Sequence, residues 1–316
     1  MKTLLLIDAN SLIHRSFHAL PPLTSRDGTP VQALYGISSI LLRLWREGRP
    51  DYAAALFDRP EPTFRKKKYA AYKAQRPAAP AELISQIIEA HRLFEAFGIR
   101  VFEKPGFEAD DLIATFAEKF SVKNKSASGG KKDNDLQVVI LTGDRDTLQL
   151  VEDEKIVVRT FKTGVSDTLT YDEKTVMEKY GLLPRQLVDY KAFVGDASDN
   201  IKGVPGIGPK TAAEILKKYG TLEAAFEGAK NDPKLEKRIG PFRNEAEFSK
   251  ELVVLDRHAP VEIGSVEELR VGEEGARIRT YFEAMHFETL INRLEGENRK
   301  TATVPKTKKR PQQGLF

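Results

Sequence analysis

Three short apolar runs in the first half of the chain each stop at an aspartate. Residues 4–7 end at Asp8, 53–57 end at Asp58, and 138–143 end at Asp144. Helical patterns separate such runs, over residues 38–45, 81–97 (closed by Gly98) and 109–120, with a further short apolar run at 99–102. Strands alternating with helices predict a parallel α/β sheet. In such a sheet the C-terminal ends of the strands line one edge, and ligands bind in the crevice there. The pattern therefore gathers Asp8, Asp58, Asp144 and Asp146 at one edge. Glu108, Asp110 and Asp111 open a helix near the same edge. The polar, Gly-rich residues 123–135 predict a surface loop.

From about residue 172 the pattern turns helical, over 172–180, 184–194, 211–219, 222–226 and 276–294. This predicts an α/β lobe over 1–180, a helical lobe over 181–298 and a disordered basic tail over 299–316.

So many carboxylates in one cleft repel one another and raise each other's pKa unless cations neutralise them. Helix-start acids favoured by the macrodipole account for Glu108, Asp110 and Asp111 alone. They do not account for the strand-terminal aspartates together with Asp196 and Asp199. The 316 residues include no cysteine, so the ligands are oxygens, which suit Mg²⁺ or Mn²⁺, and a reducing, cytoplasmic setting is expected. Two such ions about 4 Å apart form the usual clamp for phosphodiester hydrolysis.

Other chemistries fit less well. His14 and His18 stand at i, i+4 without an HExxH motif, so they pack or face the substrate rather than bind zinc. Residues 203–211 approach a P-loop, but Pro209 separates Gly208 from Lys210 and no strand precedes them. No run approaches the roughly 18 apolar residues of a membrane span.

The net charge of +4 hides clusters: residues 63–81 carry six basic residues and no acid, and 299–316 do the same. Between Arg65 and Arg76, basic residues interleave with Tyr69 and Tyr72, a pattern for phosphate pairing and base stacking. Gly203, Gly206 and Gly208 make a tight turn between helical stretches. Its backbone N–H groups, the following helix N-terminus, Lys210 and Thr211 suit a nucleic-acid backbone without base readout.

These residues together resemble the 5′-nuclease domain of bacterial DNA polymerase I, within the flap endonuclease family. The resemblance runs from Leu4 to about Leu294, through residues 57–77, 106–114, 140–150 and 194–212. It implies a PIN-like metal-binding α/β lobe, a helical arch at about 60–80 and a helix-hairpin-helix-type DNA-binding lobe. Carried over by position, Asp8, Asp58, Glu108 and Asp110 serve a first metal. Asp144, Asp146, Asp196 and Asp199 serve a second, with Asp111 nearby. Arg65, Lys73 and Arg76 lie in the arch, facing the scissile phosphate and the 5′ strand. The Gly203–Gly208 turn holds duplex, with a K⁺ ion.

The implied activity is two-metal hydrolysis at 5′ ends, flaps, nicks and RNA primers in replication and repair, by a monomer. Two rival readings are a non-catalytic junction binder and an RNA-cleaving toxin-like nuclease. The intact acidic set opposes the first and the long helical lobe the second. At the chain end, Gln312, Leu315 and Phe316 resemble a peptide that docks on the bacterial sliding clamp.

Overall fold

The computed structural model describes residues 1–122, 136–162, 164 and 167–302, without the side chains of 297–302. The loop expected at 123–135 and the clamp-type peptide at Gln312, Leu315 and Phe316 lie outside the described residues.

The chain begins with strand β1 (Lys2–Asp8), helices α1 (Ala9–Ala19) and α2 (Gln32–Gly48), and strand β2 (Tyr52–Phe57). Then come α3 (Phe64–Lys68), α4 (Ala81–Ala96), β3 (Arg100–Glu103), α5 (Ala109–Val122) and β4 (Leu136–Leu141). β5 (Ile156–Phe161), β6 (Thr168–Tyr171) and α6 (Glu173–Tyr180) complete this half. The second half holds α7 (Leu187–Val194), α8 (Pro209–Tyr219), α9 (Leu222–Ala229), α10 (Pro233–Ile239) and α11 (Arg243–Val253). It ends with α12 (Gly275–Ala284) and α13 (Glu288–Ala302).

Among the described residues the strands form one sheet in the order β3-β2-β1-β4-β5-β6. Pairing is parallel as far as β5, with Leu6 opposite Ala54 on one side and Ile140 on the other. β6 adds an antiparallel edge that the sequence pattern did not show. The central strands are apolar throughout because both faces are covered. Leu5, Ile7, Ala53, Ala55 and Phe57 face one core with α2, α4, α12 and α13. Leu4, Leu6, Ala54 and Leu56 face the other, under α5.

The lobe boundary at 181–298 needs correction. Only residues 182–246 build a separate helical core, around Phe193, Leu216, Leu222 and Phe226. Beyond it the chain returns to the first lobe. Leu255, Ala259, Ile263 and Leu269 pack under α5, and Phe282, Phe287 and Leu290 pack on the opposite face of the sheet. The helix expected over 276–294 breaks between α12 and α13, where His286 takes φ 58°. α13 continues to Ala302, past the start expected for the tail.

Candidate active site

The strand ends deliver the acids as the alternation requires. Asp8 closes β1 and caps α1: its Oδ1 accepts the Ser11 N–H at 3.0 Å, and its Oδ2 accepts the Thr142 hydroxyl at 2.6 Å. Asp58 follows β2 and accepts the first N–H of α5, from Ala109, at 2.7 Å. Asp144 follows β4 and accepts the Asp146 N–H at 2.9 Å. Asp8, Asp58, Glu108, Asp110, Asp144, Asp146 and Asp196 line one cleft of about 840 Å³.

Their crowding appears in their proton affinities. Asp8 is pushed up to about 7, by burial first and then by Asp58. Asp146 also rises to about 7, by burial and then by Asp144, although Lys191 opposes the shift. Asp110 lies well above the usual carboxylate range, through burial and the adjacent Asp111 charge. Asp196 moves down, because hydrogen bonds from Lys191 and Ser198 outweigh its burial.

Oδ1 of Asp110 is buried without a hydrogen-bond partner. Hard oxygen donors, elevated carboxyls and an orphaned buried oxygen are what divalent cations neutralise, so these residues fit such ions. Among the described residues no three acidic or histidine side chains stand close enough to share one ion. Protein cations stand among them instead. Lys73 Nζ lies 3.1 Å from Glu108 Oε2, and Arg76 Nη2 lies 2.6 Å from Asp199 Oδ1. Lys191 joins Asp146 to Asp196, reaching the latter at 2.6 Å.

The arch differs from expectation. Only α3 is helical there. Residues 69–76 form turns folded down onto the acids, with Lys73 N–H bonded to Asp199 O at 3.1 Å and Asn200 Nδ2 to Ala71 O at 2.9 Å. Tyr72 is 3% exposed, so it offers no stacking surface. Its hydroxyl lies 2.9 Å from Glu108 Oε2 and 3.1 Å from Asp199 Oδ2. Tyr69 is half-buried and meets Phe248 edge-on at 5.6 Å.

Arg65 does not face a scissile phosphate. It is 1% exposed, and its guanidinium forks onto Asp111 with both N–O distances at 2.7 Å. Leu252 O and Val254 O accept its Nε and Nη2 at 2.8 and 2.9 Å. Asp111 also accepts the N–H groups of Glu108 and Asp256, which fills its oxygens and leaves no lone pair for a metal. The pair ties α3 to α5 and to the returning chain. Asp199 does not line this cleft: its carboxylate is held by Tyr72 and Arg76.

In the turn before α8, Gly203 and Gly206 have φ 64° and 74°. The two differ in what they serve. A Cβ on Gly203 would lie 2.3 Å from the Gly195 backbone N, so this glycine permits close packing inside the lobe. Gly206 meets nothing within 4 Å and lies open with Gly208 and Lys210, while Thr211 is half-buried at the α8 start.

Sequence reasoning missed Lys191, Thr142, Arg15, Arg145 and Lys162, all but Thr142 lining the cleft. Lys191 alone carried a signal, standing five residues before Asp196 at the end of a helical pattern. His14 lines the cleft as well, in keeping with a residue that faces substrate.

Known proteins place this geometry. Residues 3–181 match the family of the 5′-3′ exonuclease N-terminal resolvase-like domain, and 182–276 match the 5′-3′ exonuclease C-terminal SAM fold. A 5′-3′ exonuclease of Aquifex aeolicus is 40% identical over 272 residues, 86% of this chain and 87% of that protein. Bacillus subtilis DNA polymerase I is 37% identical over 296 residues, which are 93% of this chain and 32% of the polymerase. The chain thus spans about a quarter to a third of the polymerases it matches.

Among solved structures, bacteriophage T5 5′-exonuclease with bound zinc gives a TM-score of 0.61 at 21% identity, covering 93% of this chain and 99% of that one. Human GEN1 with Holliday junction DNA gives 0.60 at 14% identity, covering 97% and 75%. Those two likenesses concern the fold. The family matches and the Aquifex relative carry the assignment: this chain belongs to the 5′-3′ exonuclease family.

Proposed function

We propose that the cleft hydrolyses phosphodiesters at 5′ ends, flaps and nicks of DNA, RNA primers included, in replication and repair. The observation that carries this reading is the set of seven carboxylates lining one cleft at the C-terminal edge of the sheet, in a chain of this family. Two Mg²⁺ ions, or Mn²⁺, bound there supply charge neutralisation of the carboxylates and polarisation of the phosphodiester. Asp8, Asp58, Glu108 and Asp110 would hold one ion, and Asp144, Asp146, Asp196 and Asp199 the other.

The chain's own groups do the rest. Thr142 and the Ser11 N–H fix the two oxygens of Asp8. Lys73, Arg76 and Lys191, paired with carboxylates in this structure, turn to the non-bridging oxygens as charge develops. Gly206, Gly208, Lys210 and the α8 N-terminus grip the duplex backbone, with a K⁺ ion at the turn. The protein acts as a monomer, and Gln312, Leu315 and Phe316 tether it to the sliding clamp.

A labelled 5′-flap substrate tests the reading. Cleavage is expected with Mg²⁺ and lost in EDTA, and Asp144→Asn is expected to abolish cleavage while junction binding survives. Full-rate cleavage by wild type in excess EDTA overturns it.

A further inference from the structure

A second cavity lies outside the acidic cleft and shares no lining residue with it. It measures about 310 Å³, within the range of about 300–1,000 Å³ usual for sites that hold small ligands. Three elements build it. Tyr69 comes from the end of α3, Ile201 and Gly203 from the turn before α8, and Phe248, Ser249 and Leu252 from α11. Ile201 and Leu252 belong to a small core of their own with Tyr72 and Val253, which makes the floor apolar. Tyr69 and Phe248 meet at a right angle, 5.6 Å between ring centres, and form an aromatic corner. Such a corner receives a third flat ring against a face and an edge at once.

Polar groups are few. Ser249 is 4% exposed and lines the cavity, and its hydroxyl has no hydrogen-bond partner among the described residues. A buried hydroxyl without a partner is costly, so the occupant is expected to supply one. Lys202 and Glu245 stand at the mouth, exposed and without an ion pair among the described residues, one a donor and the other an acceptor. Glu245 repels an anion there, so the cavity does not suit a phosphate. Aromatic walls, one inner hydroxyl and a donor and acceptor at the rim match the flat faces and polar edge of a nucleobase.

We propose that this cavity takes one unpaired nucleobase of the substrate strand. Position argues for the strand as the source. Gly203 and Pro205 of the wall belong to the turn whose next residues, Gly206, Gly208 and Lys210, lie open. A backbone held at that turn passes the mouth, and turning a base out of it is least costly where the base is already unpaired. The inference rests on the nuclease reading and adds a place where an unpaired base is sensed. The Tyr72 N–H bonds to Tyr69 O at 2.9 Å, and the Tyr72 hydroxyl meets Glu108. An occupant against Tyr69 therefore bears on the segment that carries Lys73 and Arg76.

The test measures binding of the intact protein to a fluorescent 5′-flap oligonucleotide by anisotropy in Ca²⁺. A single abasic site is moved along the unpaired strand and across the junction. Wild type is expected to lose about fivefold or more in affinity at one position and little elsewhere, the scale of one base on an aromatic ring. Ser249→Met puts a long apolar side chain into the cavity, and Tyr69→Ala removes its corner. Each should bind the intact flap about as weakly as wild type binds the abasic one, and neither should distinguish the two. Tyr69 is half-buried, so Tyr69→Ala carries the comparison if Ser249→Met does not fold.

A flat abasic profile for wild type overturns the site, and so does a wild-type profile retained by the folded variants. Calorimetry with free adenosine separates the other source of the same chemistry. Adenosine binding to wild type and not to Tyr69→Ala, together with a flat abasic profile, marks a small-molecule pocket and overturns the strand as occupant. Binding is read without turnover. Failure of wild type to cleave a flap in Mg²⁺ counts against the nuclease reading, whereas cleavage with a flat profile counts against the base pocket alone.

Discussion

Asp8 ends a strand, caps a helix and faces the cleft, and these duties set its proton affinity. Its folded pKa of about 7 stands above the value of about 3.9 for an unfolded aspartate. Between those values the folded state binds more protons than the unfolded one, so stability falls as pH rises from about 4 to 7 and stays reduced above. A tenfold change in proton affinity on folding corresponds to about 1.4 kcal/mol. The metal-free wild type is therefore expected to gain less in Tm than Asp8→Asn does on going from pH 5.5 to pH 8. Asp8→Asn should be the more stable protein at pH 8, and Mg²⁺ should raise the wild-type Tm there by mass action. Calorimetry at the two pH values checks this. A wild type at least as stable as Asp8→Asn at pH 8 without metal contradicts it.

Arg65 and Asp111 make the opposite case. Both are buried, with every acceptor of Asp111 used, so removal of one partner strands a charge. Arg65→Met or Asp111→Asn is expected to cost about 3–5 kcal/mol in urea unfolding, and the double variant less than the sum. A loss of cleavage with unchanged stability contradicts this structural role. Neither fate was readable in the sequence. Asp110 and Asp111 are neighbours of one type, and only the turn of α5 sends the first to the cleft and the second to Arg65. The strand-terminal aspartates were readable because apolar runs locate the sheet edge by themselves.

At the scale of elements, the turn before α8 separates two uses of glycine. Gly203→Ala drives a methyl into the Gly195 backbone, where nothing flexible yields. Gly206→Ala pays only for its left-handed φ, about 1–2 kcal/mol. Thermal melts should rank them in that order, and Gly206→Ala should still fold with weakened duplex affinity. Equal destabilisation by both argues against the packing role of Gly203.

The strands β1, β2 and β4 and helices α4 and α5 were readable from apolar periodicity within a residue or two. β5 was missed although it opens on the apolar residues Ile156, Val157 and Val158, whereas α1 and β6 lack that signal. In α1 the buried face is short, Ala9, Leu12 and Ile13, and its next position is Ser16, and the edge strand β6 is exposed enough to carry threonines. The arch was misread because a run of basic residues carries no mark of burial. Arg65 and Tyr72 look like surface residues until the acids they meet are brought from elsewhere in the chain.

At the scale of the whole molecule, the helical core of residues 182–246 interrupts the α/β lobe, whose two faces are finished by Leu255 to Leu269 and by α12 and α13. A chain cut after residue 276 loses Phe282, Phe287 and Leu290 from the core. It is expected to lose cooperative unfolding and expose apolar surface to the dye ANS, and a sharp transition at the wild-type Tm contradicts this.

During synthesis the same layout becomes a schedule. At about 5–20 residues per second, the segments that close the sheet follow residue 181 by roughly 6 to 23 seconds. Until then the nascent sheet keeps an uncovered flank and depends on chaperones or the ribosome surface for protection. The helical lobe is already made by the time that flank closes, so its glycine turn before α8 is synthesised before the α/β lobe settles around the acids. The newborn enzyme thus has no interval in which a finished acidic cleft exists without the helical lobe, which itself supplies Asp196 to that cleft.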